Sequence, residues 1–353
     1  MRLSAQLRRR LALPLAAALA VVPVAALAPS ASAATTYYYA IAYEAVSNQH
    51  LWYYDSTSGA HDTGLAMAYG SSGTITTSPA IVFDNSGYYV IAFQANTAHG
   101  AGSGHLFIYT PVGNAHLDTG LGMNPGTSPS ISQTDLVAFQ ANTGYLWYYD
   151  GVSGHNTGLG MAADTSPSIS ADGTEIAFQA NTGHLWYYTV GGQAHDTGLG
   201  MEAGTSPTIG MCGAQCYDVA FEANTGHLFT YQLSNNAHTD TGLSMFDSPA
   251  MDPTNAEYET YASLPTGHVF WRDTYSGSLT DTGLQIQNGS SPSIGPLVDP
   301  VTGLVNAWMI AFTPVGGDLY TYNTTSKATV NTGLGVEPFT SPAYTTGERL
   351  VFG

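Results

Sequence analysis

The pair Ser-Pro occurs seven times, at Ser78, Ser128, Ser166, Ser206, Ser248, Ser291 and Ser341, and the triplet Thr-Gly-Leu keeps the same rhythm at Thr63, Thr119, Thr157, Thr197, Thr241, Thr282 and Thr332. An eighth triplet, at Thr302, falls off the period. A motif that returns at roughly forty- to fifty-five-residue spacing is one small supersecondary unit, which cannot bury its faces alone and must stack on its neighbours. The double count is the signature of a propeller-type array.

The unit from Thr165 to Gly204 shows what repeats. Ser168-Ile169-Ser170 reads as a short first strand, followed by the turn Ala171-Asp172-Gly173-Thr174. In Glu175 to Ala180, Ile176 and Phe178 alternate with Ala177 and Gln179, as strand residues do. Asn181-Thr182-Gly183 supplies a tight hairpin, His184 to Thr189 an aromatic-rich third strand, and His195 to Met201 a fourth. Four strands in about forty residues make a propeller blade.

The ends of the chain indicate how the ring closes. Tyr39-Ala40-Ile41-Ala42-Tyr43 matches the second strand of a unit and has no Ser-Pro strand before it. Ser341-Pro342-Ala343-Tyr344, followed by Glu348 to Phe352, has no third or fourth strand after it. The C-terminal segment is therefore expected to complete the N-terminal blade, giving an all-β, seven-bladed propeller of four antiparallel strands per blade with no free sheet edge at the closure.

The stretch Thr165 to Phe178, with its Ser-Pro, Asp-Gly turn and Ile-Ala-Phe strand, resembles the blade opening of TolB-type propellers, although only this repeat keeps the Asp-Gly in place. The full unit (Ala-Phe-Gln-Ala-Asn-Thr-Gly, Thr-Gly-Leu-Gly-Met, Thr-Ser-Pro-Ser-Ile) also resembles tandem repeats of secreted bacterial proteins and propeller lectins. This resemblance implies the fold. Propellers serve as lectins, hydrolases, lyases and scaffolds, so it leaves the activity open.

Residues 1–33 stand outside the array: Arg8, Arg9 and Arg10 precede an Ala/Leu/Val-rich run ending before Ala31-Ser32-Ala33. They read as a signal peptide, through the general or the twin-arginine route, with residues 34–353 as the secreted propeller. The apolar run is too short and alanine-rich for a spanning helix, so no membrane anchoring is expected. Beyond it only Arg272, Lys327 and Arg349 face twenty-five acidic residues, a net charge of −22, which excludes nucleic acid as a partner. Cys212 and Cys216, four apart in an exported chain, are expected to form a local disulfide. No metal site or cofactor is expected.

Comparing repeats locates a candidate face. The hairpins Asn142-Thr143-Gly144, Asn181-Thr182-Gly183 and Asn224-Thr225-Gly226 and the Thr-Ser-Pro crossovers hardly vary, whereas the other two loop classes do. In a four-stranded blade the similar loops emerge on one rim of the ring. Four contiguous units carry a candidate ligand set: Gln94, Asn96 and His105; Gln140, Asn142 and Tyr145; Gln179, Asn181 and His184; Glu222, Asn224 and His227. Amides and imidazoles beside aromatic rings suit sugars, whose hydroxyls need donors and acceptors and whose C–H faces need a ring. The plainer alternative is that Asn-Thr-Gly is merely a good hairpin and that the Gln side chains bind the next blade.

Other signals dissolve into the repeat. Asp-Thr-Gly at Asp62, Asp118, Asp196, Asp240 and Asp281 matches the aspartic-protease triplet but keeps the blade period, and becomes Asn at Asn156 and Asn331. A protease needs two carboxylates at one point. Histidines also follow the period, and no nucleophile elbow or Ser/His/Asp set stands out. No catalytic residue is assigned. Three functions compete: a glycan- or cell-surface-polysaccharide-binding, lectin-like protein; a scaffold for extracellular proteins, using the variable rim and the Cys212–Cys216 loop; and a polysaccharide-active enzyme using Asp252, Glu257 and Glu259.

Overall fold

The computed structural model describes residues 34–68, 77–96, 104–299 and 302–351. The expected signal peptide lies outside these residues, as does Ala98 to Ser103, which the sequence places as an insert inside the hairpin between Asn96 and His105. Among the described residues the strands form five antiparallel sheets of four strands and one of seven. The large sheet is two units sharing one 16-residue strand, Ala237–Asp252, whose register shifts between Phe246 and Ala250. Its first part closes the unit of Thr208–Gly213, Cys216–Glu222 and His227–Gln232, and its second part opens that of Asn255–Ser263, His268–Asp273 and Leu279–Gln285. Divided there, the sheets are seven blades, numbered here from the N-terminus.

The closure takes the expected form. Ala343–Val351 is the innermost strand of blade 1, antiparallel to Ala34–Glu44 from Ala34↔Val351 to Ala42↔Ala343. Each blade is also stitched to the next, by the bridges Met67↔Ala95, Met123↔Ala141, Met161↔Ala180, Met201↔Ala223, Ile286↔Pro314 and Val336↔Ala45 and by the ladder pair Met245↔Ser263. The Ser-Pro serines form a belt inside this ring. The backbone N–H of Ser78 donates to Ser128 Oγ, Ser128 to Ser166, Ser166 to Ser206, Ser206 to Ser248, Ser291 to Ser341 and Ser341 back to Ser78, all at 2.8–2.9 Å. Between Ser248 and Ser291 the Asp247 carboxylate makes the link, accepting from the first backbone N–H and the second hydroxyl. The repeated Ser-Pro is thus the hydrogen-bonded inner lining, and Pro, having no N–H, follows the donor without competing for an acceptor.

The core lies between blades. Ile176, Phe178 and Ala180 of blade 4 pack on Ala138, Leu146 and Met161 of blade 3, and the same arrangement recurs round the ring. Phe93, Phe139, Phe178, Phe221 and Phe312 occupy one repeated, fully buried position, each contributing about 1.5–3 kcal/mol by burial. Alternation suggests that Gln179 and Ala177 face away from the core, but Ile176 to Gln179 are all buried. Both faces of each sheet are covered by a neighbouring blade, so the second strand has no solvent side.

Candidate ligand-binding rim

The Asp-Thr-Gly-Leu turn is a bulge in the outer strand of each blade. In blade 4 the register shifts between His184 and Trp186, Gly198 takes φ 71°, and the Asp196 carboxylate accepts the Gly198 N–H at 2.8 Å. Thr197 Oγ1 donates to the Leu185 carbonyl at 2.7 Å, tying the bulge to the third strand. The same pair of bonds recurs at Thr63, Thr119, Thr157, Thr241, Thr282 and Thr332 with their neighbouring Asp or Asn. This is a structural turn, and the carboxylates are spread round the ring.

The bulge presents its acid to the first residue of the third strand. His50–Asp62, His105–Asp118, His184–Asp196, His227–Asp240 and His268–Asp281 are paired through Nδ1 at 2.9–3.1 Å. The two blades without His there carry Asn instead of Asp: Tyr145 lies in blade 3 with Asn156, and in blade 7 Asn331 donates to Asp318 at 2.9 Å. Sequence reasoning missed the acids Asp118, Asp196 and Asp240 as partners of the candidate histidines, although this exchange of both residues together between repeats signals the contact. With Nδ1 held by the carboxylate, the free ring nitrogen is Nε2, an acceptor in the neutral ring and a donor in the charged one. At Asp240 the Gly242 N–H, and then the His227 contacts, hold the carboxyl below its ordinary range. At Asp281 burial acts upward and is outweighed by the Gly283 N–H and His268.

The candidate glutamines are not exposed. Gln94, Gln140 and Gln179 are each 1% exposed and Glu222 is 5% exposed. Gln179 Nε2 donates to the carbonyls of Met201 and Glu202, Gln94 to those of Met123 and Asn124, and Gln140 to that of Ala162, clamping the crossover that leaves each blade. These residues, expected to contact ligand, therefore serve packing, because the end of the second strand is roofed by the crossover. Glu222 in this site is pushed up to about 7 by burial and then by Glu202 and Asp247.

Of the expected set, Asn142, Asn181, Asn224, the histidines and Tyr145 remain on the rim, whereas Asn96 is half-buried with its Oδ1 buried. Asn142, Asn181 and Asn224 are exposed, and each lays its amide over a glycine of the preceding blade. A Cβ on Gly122, Gly160 or Gly200 would lie 2.4 Å from the corresponding Nδ2, so glycine makes room for the amide. Three adjacent blades thus offer an exposed amide at the blade junction, with an imidazole–carboxylate pair on the same rim in blades 4 and 5 and Tyr145 and Asn156 in blade 3. The outer histidines are separate: His61, His155 and His195 stack on Tyr53, Tyr148 and Tyr187 with ring centres 4.6–4.7 Å apart.

The acids considered for catalysis do not form an open pair. Asp252 is 2% exposed and accepts from Thr254, while Glu259 is fully buried against Arg272. On the opposite rim, Cys212 and Cys216 form the expected disulfide. Among the described residues no helix is long and apolar enough to cross a membrane.

No protein-family model matches the chain, and no curated protein matches it. Among solved structures it is similar to TolB from Acinetobacter baumannii, with a TM-score of 0.50 at 12% identity over 88% of this chain and 66% of that one. The chain thus spans just under two thirds of TolB's length. A triple arginine-to-alanine mutant of AofleA from Arthrobotrys oligospora aligns with a TM-score of 0.49 at 13% identity, over 76% of this chain and 89% of that one. At such identity the likeness to TolB shows the propeller fold and nothing of the activity.

Proposed function

We propose that the protein is a secreted, non-catalytic binding protein that recognises glycans through repeated sites on one rim of the propeller. The observation that carries this reading is the threefold recurrence, in adjacent blades 3 to 5, of an exposed junction asparagine on the same rim as a carboxylate-held imidazole or its Tyr145–Asn156 counterpart. An amide, an imidazole whose Nε2 is left unpaired by the Nδ1–carboxylate contact, and a carboxylate offer paired donors and acceptors, which is what vicinal hydroxyls need. A rigid ring presenting several weak sites binds a multivalent glycan by avidity. Secretion rests on the basic and then apolar pattern of residues 1–33.

The test is a glycan array with wild-type protein and with the variant Asn142→Ala plus Asn181→Ala. The expected result is binding that falls steeply in the variant at unchanged melting temperature. An array blank across plant, fungal and bacterial glycans overturns the reading.

A further inference from the structure

One cross-strand pair separates blade 6 from the other six. In the second and third strands, Ile41 faces Tyr54, Ile91 faces Tyr109, Val137 faces Tyr149, Ile176 faces Tyr188, Val219 faces Tyr231 and Ile310 faces Tyr322. At the same register in blade 6, Glu259 faces Arg272. The Glu259 side chain is 0% exposed and that of Arg272 15%, joined by an Nη1–Oε1 contact of 2.5 Å. Exchanging an apolar pair for a buried ion pair is on average no gain in stability and often a loss. Packing therefore does not explain why one blade departs from six.

The arginine borders a cleft of about 660 Å³ between blades 5 and 6, on the variable rim, opposite the Asn-Thr-Gly hairpins. Arg272 lines it with Asp218, Gln232, Asn255, Glu257 and Tyr275, and the Cys212 end of the disulfide loop forms part of its wall. Among the described residues Glu259 is the one side-chain hydrogen-bond partner of Arg272, so most of the guanidinium's five N–H donors are unpaired at the lining of the cleft. Glu259 Oε2, fully buried, has no partner among the described residues either. Tyr275, 94% exposed, stands at the mouth.

We propose that this cleft is a second binding site, taking one neutral oligosaccharide, with Arg272 as the donor anchor held in place by Glu259. The size fits a small-molecule site. One guanidinium faces three carboxylates, Asp218, Glu257 and Glu259, in a chain already strongly acidic, so an anionic guest is repelled. Hydroxyl groups use the lining best, donating to carboxylates and amide oxygens and accepting from the guanidinium, with the Tyr275 ring available to a sugar's C–H face.

The site is independent of the repeated rim, and the test separates them. Full-length secreted protein is titrated calorimetrically with neutral oligosaccharides of hexoses and N-acetylhexosamines, and with uronic-acid-containing counterparts. Glu259→Ile with Arg272→Tyr installs the pair that six blades already use, so it is expected to fold with a melting temperature at or above wild type. It should lower affinity for the neutral ligand at least tenfold, and Tyr275→Ala, which alters no buried contact, several-fold. Asn142→Ala plus Asn181→Ala should leave this affinity unchanged. The proposal is overturned if no neutral oligosaccharide binds, if acidic ones bind better, if both cleft variants bind like wild type, or if the asparagine variant alone abolishes binding.

Discussion

The arc of blades 2 to 5 and the arc of blades 6, 7 and 1 share one backbone plan and differ in what they bury. At the end of the second strand the first arc holds Gln94, Gln140, Gln179 and Glu222, whereas the second holds Ala262, Thr313 and Glu44. At the blade junctions the first arc sets Asn on Gly at three places, but in the second arc Gly335 lies against Val46. The regular arc has solved one packing problem repeatedly. The altered arc contains the closure, the break in the serine belt and the blade 6 ion pair, so departures concentrate where the ring is joined and where a second surface is built.

The largest effect expected from breaking this contrast is removal of the closing strand. Truncation after Thr340 deletes the innermost strand of blade 1 and two serine-belt bonds, exposing the edge of Ala34–Glu44 and the blade junctions on both sides. The expected outcome is loss of a cooperative thermal transition and aggregation in size-exclusion chromatography. A monomer that still melts cooperatively would show that the ring does not depend on its closure.

Next in size is Glu44, 0% exposed and with both carboxylate oxygens unpartnered among the described residues. Burial, and then Glu337, push its carboxyl up to about 9. The folded state therefore keeps a proton that the unfolded chain releases near its ordinary value. The associated stability is present below the unfolded pKa and is lost as pH rises from there through about 9. Glu44→Gln installs the residue of blades 2 to 4 and should remove most of that slope. The expected gain at pH 9 is on the order of a few kcal/mol, falling towards zero near pH 5, measured by urea denaturation at several pH values.

These two cases also show what the sequence disclosed. The blade count, the closing segment and the Cys212–Cys216 bond were legible because each leaves a periodic or local trace. The role of the glutamines was not, because alternation gives the face of a residue within one strand, while the crossover covering Gln179 comes from Met201 and Glu202, 22 and 23 residues further on, and from tertiary packing. The Glu259–Arg272 pair was present in the sequence as two odd residues. Only the cross-strand register makes them one substitution against six Ile/Val–Tyr pairs.

A medium effect distinguishes clamp from contact within the regular arc. Gln179→Ala removes a buried donor and leaves the Met201 and Glu202 carbonyls without it, so a loss of about 1–3 kcal/mol is expected in chemical denaturation. Asn181→Ala, on an exposed hairpin, should cost less than about 0.5 kcal/mol. If binding followed Gln179 and ignored Asn181, the rim assignment would have to be reversed.

The smallest effect tests whether the two arcs differ in function as well as packing. His184 in the regular arc and His268 in the altered arc each pair with an aspartate at 3.1 Å, and neither pair is deeply buried. Exposed pairs of this kind contribute less than about 1 kcal/mol, because solvent screens the charges and the side chains lose freedom on pairing. His184→Ala and His268→Ala should therefore lower stability by similarly small amounts. Their binding should diverge, because His184 shares its rim with Asn181, whereas the blade 6 hairpin carries Ser263 and Leu264 in place of the Ala-Asn step. Weaker glycan-array signal for the first variant and an unchanged signal for the second would tie recognition to the junction asparagine. Equal losses would instead assign it to the imidazole–carboxylate pair wherever it occurs, extending the rim site to blades 1 and 6.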